Sequence, residues 1–179
     1  MIEVPVLIAG GGPVGLTLSL ELARQGINSM VAEQNPGTTR HPKMDLTNGR
    51  SMELFRRLGL ADKIRAVGVP AKSPFNISWV TDLSEAGHEL CRFPYLSEED
   101  ETWRRQVTND GSLTLEAPLR VSQIVIEPVL KKEADANDHV QTCFGWKLES
   151  FEQDADGVTS LLKNTATGET RSVRSRFLI

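Results

Sequence analysis

The sequence predicts an α/β fold that opens with a strand–helix–strand unit of parallel strands. A three-stranded antiparallel meander and part of a small accessory sheet follow. Three observations carry this expectation. The apolar run Val4–Ala9 leads straight into the glycine-rich turn Gly10-Gly11-Gly12-Pro13-Val14-Gly15. The residues after that turn switch to helical spacing, with Leu16, Leu20 and Ala23 on one face. Two turn signals, Asp154–Gly157 and Asn164–Gly168, divide the C-terminal third into three strand-length pieces.

Val4–Ala9 is almost wholly apolar, as a parallel strand buried on both faces should be. Pro5 lies near its start, where a missing N–H does least harm. The helix is expected over Pro13–Gln25, with Pro13 in its first turn and Gly26 as its stop. A second strand, Asn28–Glu33, completes a right-handed βαβ unit. Turn formers fill Gln34–Pro42, and a second helix spans Asn48–Leu58, stopped by Gly59. Weak alternation over Pro70–Pro94, around Ile77, Trp79 and Phe93, points to strands of the accessory sheet, within an inserted segment of about 70–118. The acidic stretch Ser97–Glu101 reads as a solvated loop. Ser122–Asp135 reads as a helix capped by Ser122 and kinked at Pro128. Val140–Cys143 is a third parallel strand, and the meander occupies Gly145–Arg174. Arg176–Ile179 looks like the start of another buried strand, so the chain is expected to be the truncated N-terminal part of a longer domain.

Composition narrows the function classes. The chain has 179 residues, 39% hydrophobic and 25% charged, which is the ordinary globular range. A net charge of −4 argues against nucleic acid as a partner. No apolar run approaches the roughly 20 residues that cross a bilayer. No basic region precedes Val4–Ala9, so it does not read as a signal peptide. Cys91 and Cys143 form no metal or redox spacing. A cytoplasmic protein with reduced thiols and no membrane partner is expected; oligomeric state has no sequence signal.

The glycine turn carries the chemistry. In Gly10-x-Gly12-x-x-Gly15, Gly10 permits the tight turn and Gly12 lets backbone approach a pyrophosphate. Gly15 lets the helix lie close to the sheet. Helix-start N–H groups then face the anion, aided by the helix dipole. The motif alone is weak evidence, but here it follows a strand, opens a helix and precedes an acid at the end of the next strand. That acid, Glu33, suits the ribose hydroxyls of an adenosine and repels a 2′-phosphate. The Rossmann-like unit therefore expects FAD or NAD, and leaves the two open.

The segment His41-Pro42-Lys43, Asn48-Gly49-Arg50-Ser51-Met52-Glu53 and Arg57-Leu58-Gly59-Leu60 resembles the FAD-binding domain of aromatic-ring hydroxylases. These are single-component flavoprotein monooxygenases of the para-hydroxybenzoate, phenol and polyketide hydroxylase kind. Lys43 departs from the family's usual arginine, keeping the charge and losing the bidentate fork. Arg120-Val121-Ser122-Gln123, with Glu127 and Leu130 after it, is similar to the family's R-x-x-Q before a helix. Residues alone would place Arg120 and Gln123 among ordinary exposed polar groups.

The resemblance implies that Gly10, Gly12, Pro13, Val14, Gly15, Glu33, Gln34, Lys43, Arg50, Arg120 and Gln123 bind FAD. It further implies NADPH or NADH as reductant and a small phenolic or polycyclic aromatic substrate. Oxygen would be transferred through a flavin C4a-hydroperoxide, so that no catalytic side chain and no metal is expected. His41, His88 and His139 lie in unrelated segments, in keeping with this. Trp79, Trp103 and Trp146 read as packing residues, with Trp79 also a substrate-cavity candidate. Two rivals remain: an NAD-dependent dehydrogenase or reductase, and a non-catalytic nucleotide-binding module.

Overall fold

The computed structural model describes residues 2–41, 43–74 and 76–179. In chain order the elements are β1 (Ile2–Ala9), α1 (Pro13–Arg24), β2 (Ser29–Glu33), β3 (Leu46–Thr47), α2 (Gly49–Arg57) and α3 (Ala61–Arg65). They continue with β4 (Ile77–Val80), β5 (Glu89–Phe93), α4 (Glu98–Thr108), β6 (Leu119–Arg120) and α5 (Gln123–Asp135). The last four are β7 (Val140–Phe144), β8 (Trp146–Asp154), β9 (Gly157–Asn164) and β10 (Thr170–Leu178). The chain divides into two compact units, residues 1–43 with 123–179, and residues 44–122.

The first unit is built on one six-stranded sheet in the order β7-β2-β1-β10-β9-β8. β7, β2, β1 and β10 pair in parallel, whereas β10, β9 and β8 pair antiparallel. α1 packs on β1, β2 and α5. Leu18 and Leu22 of that helix lie against Val6, Ile8 and Val31. β7 and β8 are separated only by Gly145, yet they stand at opposite ends of the strand order. The meander must therefore fold back, which brings β8 against β2. Trp146, Leu162 and Val173 of the meander join Leu7, Met30 and Ala32 in one buried cluster. Burying each large side chain there stabilises the unit by about 1.5–3 kcal/mol.

The third meander strand differs from expectation. It does not stop at Arg174 before a separate strand; it runs unbroken to Leu178, pairing with β9 on one edge and β1 on the other. Nor is its end a buried run, since Phe177 and Ile179 are exposed. α5 starts at Gln123 and continues through Pro128 as one helix. Ser122 does not cap it through its side chain, because its Oγ has no hydrogen-bond partner.

Both meander turns are closed by side chains. Asn164 Oδ1 accepts from the N–H groups of Ala166 and Thr167 at 3.0 and 2.9 Å. Asp154 Oδ1 accepts from those of Asp156 and Gly157 at 2.8 and 3.1 Å, while Arg174 grips both carboxylate oxygens at 2.9 and 2.6 Å. The Arg174 guanidinium, foremost among these donors, holds the Asp154 carboxyl down at about 2, against an ordinary 3.8. A depressed folded-state value contributes stability above the unfolded value and loses it as pH falls. We therefore expect the stability gap between the wild type and Asp154→Asn to be constant above about pH 5 and to shrink steadily as pH falls through 3.8 and then 2. Urea unfolding across that range checks this; a gap as large at pH 2 as at pH 5 would refute it.

The second unit holds the short pair β3–β6, the hairpin β4–β5 and helices α2 to α4. Met52, Phe55, Leu60, Ile64, Leu119 and Val121 are among its buried apolar side chains. α2 matches its expected bounds closely, with Asn48 Oδ1 capping the N–H of Ser51 at 2.8 Å. Ser97–Glu101 is not a loop. Ser97 caps α4 by accepting from the N–H of Asp100 at 3.1 Å, and Glu98 to Glu101 fill its first turn, where the helix dipole favours acids. Glu98 also pairs with Arg65 at 2.7 Å, and Arg65 pairs with Glu116 at 2.8 Å. Of the tryptophans only Trp146 packs into a core; Trp79 and Trp103 are exposed. Among the described residues no helix is long and apolar enough to cross a membrane.

Candidate functional site

The glycine turn sits at the carboxyl end of β1. The Gly10 N–H donates to the carbonyl of Ala32 at 2.8 Å, which fastens the turn to β2. Gly10 itself has φ +128°, a conformation that favours glycine. α1 begins at Pro13, with Gly12 as an N-cap whose end of the helix receives no side-chain cap. First-turn N–H groups such as those of Val14 and Gly15 have no carbonyl to reach within the helix. Pro13 has no N–H to leave unsatisfied, and the Val14 side chain is exposed. The nearest atom to a Cβ placed on Gly12 is Glu127 Oε1 at 3.9 Å, so the backbone there can be approached closely. A Cβ on Gly15 would stand 2.0 Å from the carbonyl oxygen of Gly10. These are the features a pyrophosphate needs: open backbone, unsatisfied donors and a positive helix pole.

Glu33 ends β2 beside this turn. Its Oε2 accepts from the Gly11 N–H at 2.8 Å. Its Oε1 accepts from the backbone N–H and the Nδ2 of Asn35, at 2.8 and 2.6 Å. A carboxylate offers about four acceptor positions, so Oε2 retains room for one more donor. Gln34 is exposed, and its carbonyl accepts from Thr165 Oγ1 at 3.2 Å. The Gly145 N–H donates to the carbonyl of Asn35 at 2.9 Å. The loop leaving β2 is thus tied to both the β7–β8 and β9–β10 turns.

Gln123, the first residue of α5, is nearly buried, and its Nε2 donates to Glu127 Oε1. Lys43 is exposed at the end of the first segment of this unit; Pro42 lies outside the described residues. Gly10, Gly12, Pro13, Val14, Gly15, Glu33, Gln34, Lys43 and Gln123 all belong to the first unit. Arg50 and Arg120 belong to the second. Arg50 projects from α2, mostly exposed, and pairs with Glu53 at 3.0 Å. Arg120, in β6, pairs with Asp45 through Nε at 3.1 Å and Nη2 at 2.9 Å. Exposed pairs of this kind contribute about 0–1 kcal/mol, so neither arginine is committed to its partner.

Three residues around the turn have a part in it that the motif reading did not assign. Gly11 is more confined than Gly12: a Cβ there would lie 2.8 Å from Glu33 Cβ and 2.9 Å from Phe144 Cζ. Phe144 reaches this place because β7 pairs with β2 in a register that sets it opposite Glu33. Glu127, named in the sequence only as part of the stretch following Gln123, is buried within bonding distance of it, and the i,i+4 spacing signals that pair. Cys143, opposite Ala32 in the β2–β7 register, has its thiol pKa pushed up by burial.

Comparison with known proteins identifies the family. The family described as FAD binding domain matches residues 3–179. An FAD-dependent monooxygenase of Emericella nidulans, apdD, is 40% identical over 174 residues, covering 97% of this chain and 28% of that protein. A 2,4-dichlorophenol 6-monooxygenase of Cupriavidus pinatubonensis is 33% identical, covering 99% of this chain and 29% of the relative. Among solved structures, the flavin-dependent monooxygenase PieE in complex with FAD and substrate superposes with a TM-score of 0.83 at 33% identity. That match covers 99% of this chain and 30% of PieE. The chain therefore spans about 30% of the length of the relatives it matches.

Proposed function

The chain belongs to the FAD-binding-domain family, and from that premise we propose that it is the FAD-holding N-terminal portion of a monooxygenase acting on a phenolic or polycyclic aromatic compound. The observation that carries this reading is the uncapped start of α1 beside a carboxylate held in place by Gly11 and Asn35. Gly12, Pro13, Val14 and Gly15 receive the pyrophosphate, with Gly10 shaping the turn. Glu33 takes a ribose hydroxyl. Gln34, Lys43, Arg50, Arg120 and Gln123 supply further contacts to FAD, the cations offsetting its negative charge. Segment 70–118 contributes to the substrate side, a role supported by the exposed Ile77, Trp79, Leu90 and Phe93 of the β4–β5 hairpin.

Bound FAD, reduced by NADH or NADPH, supplies the oxygen chemistry of such an enzyme. The residues of this chain bind and orient it. The relatives named for a flavin-dependent activity, and for a chlorophenol as substrate, support the assignment. Titration of the chain with FAD, AMP and NAD tests it. We expect FAD to bind with a yellow visible band and more tightly than AMP, because Lys43, Arg50, Arg120 and Gln123 reach beyond the AMP half. Equal affinity for FAD and AMP would remove those four residues from the site. Preference for NAD over FAD would overturn the flavin assignment.

A further inference from the structure

We propose that Glu127 is a positioning residue of the cofactor site: its buried carboxylate decides which end of the Gln123 amide is offered to the ligand. The proposal rests on the dinucleotide reading above and names a residue to which that reading gives no task.

Glu127 is 3% exposed. A carboxylate so far from water is costly unless its oxygens are hydrogen-bonded. Both are. Oε2 accepts from the backbone N–H of Thr39 at 2.7 Å, across 88 residues of sequence, and Oε1 accepts from Gln123 Nε2. Lysine is not the partner: Lys131, one turn further along α5, pairs with Asp135 at 2.5 Å. Both carboxylate oxygens thus act as acceptors, held between two N–H donors.

The consequence follows from donor and acceptor inventory. An ionised carboxylate only accepts, whereas a glutamine amide can present either end. With Glu127 beside it, Gln123 must turn its NH₂ inward, and its Oε1 faces elsewhere. That oxygen can take a hydroxyl or an N–H from a ligand and cannot take a phosphate oxygen. The pair also lies beside the glycine turn, since Glu127 Oε1 is the atom 3.9 Å from a Cβ built on Gly12. Thr39 lies on the segment that leaves the first unit after Lys43, and Gln123 is the first residue on the return. One carboxylate therefore fastens both segments, including the one that carries Gln34 and Lys43.

Glu127→Gln isolates the orientation effect. Its amide oxygen can still accept from Thr39, but its NH₂ now meets Gln123, which must reverse. We expect a melting temperature within about 2 °C of wild type and AMP affinity within twofold. FAD affinity should fall about tenfold, the worth of one misdirected hydrogen bond. In a Gln123→Ala background the same substitution should weaken FAD no further. Unchanged FAD affinity in Glu127→Gln, or equal weakening of FAD and AMP, would overturn the proposal. If Glu127→Gln does not fold, the wild type still decides. The Gln123 side-chain amide protons should exchange slowly by NMR, and rapid exchange would refute the bond to Glu127. Failure of the wild type to bind either AMP or FAD would instead overturn the dinucleotide reading, and this inference with it.

Discussion

Replacing Gly15 by alanine is expected to abolish measurable AMP and FAD binding and to lower the melting temperature by roughly 6–12 °C. The new Cβ would stand 2.0 Å from the Gly10 carbonyl oxygen and 3.2 Å from both Gly10 C and Ile8 Cγ2. Two of these atoms are backbone, and Gly10 is held by its N–H bond to Ala32. Nothing there is a flexible side-chain end, so α1 must lift away from the sheet. That movement strains the packing of Leu16, Leu20 and Ala23, all buried on α1. Overpacking of a rigid site costs about 3 kcal/mol at the upper end of its usual range. It also displaces the helix-start N–H groups proposed to receive the pyrophosphate. Gly26→Ala is the control: its φ of +71° makes alanine strained at the far end of α1, but a Cβ there meets nothing within 4 Å, so stability falls without moving the helix start. It should bind AMP as the wild type does. Gly15→Ala binding AMP within threefold of wild type would mean that the turn is not the anion site.

Glu33→Ala should weaken AMP about 50-fold, the equivalent of one or two charge-assisted hydrogen bonds. Part of that loss is local disorder, because Glu33 fixes the Gly11 N–H and both donors of Asn35. Glu33→Gln separates the charge from the geometry. Its amide keeps the shape but turns a donor towards either Gly11 or Asn35, and it no longer repels a 2′-phosphate. The preference for AMP over adenosine 2′,5′-bisphosphate should therefore fall by about tenfold or more. Isothermal titration at constant ionic strength reads both affinities. An undiminished preference in Glu33→Gln would show that another group excludes the 2′-phosphate.

How legible each element was depended on whether its signal was local. α2 could be read within a residue or so, because the Asn48 cap and the Gly59 stop both lie next to the helix they bound. α4 could not. None of its residues is buried, so no apolar face gave it a helical period, and its four leading acids resemble a solvated loop. Their meaning changes only when Ser97 is recognised as a cap. β3 and β6 are two residues each and exist only through pairing across more than 70 residues, which no local pattern announces. Trp79 and Trp103 were read by residue type as packing groups, and exposure is a property of the surroundings.

The dinucleotide grip was determined by the sequence itself. A strand, a glycine turn, a helix start and a terminal acid are set by sterics and hydrogen bonding among near neighbours, and the order Gly10, Gly12, Gly15, Glu33 already contains them. Tertiary structure alone decided what surrounds that grip. Insertion of β10 between β1 and β9 turns the meander and the last strand into one sheet. The parallel register of β2 and β7 places Phe144 against Gly11. The close approach of α5 to the loop after β2 lets Glu127 hold Thr39 and Gln123 at once. Each of these depends on which edges and faces meet after the chain has folded, and residues far apart in sequence carry no periodicity that records such a meeting.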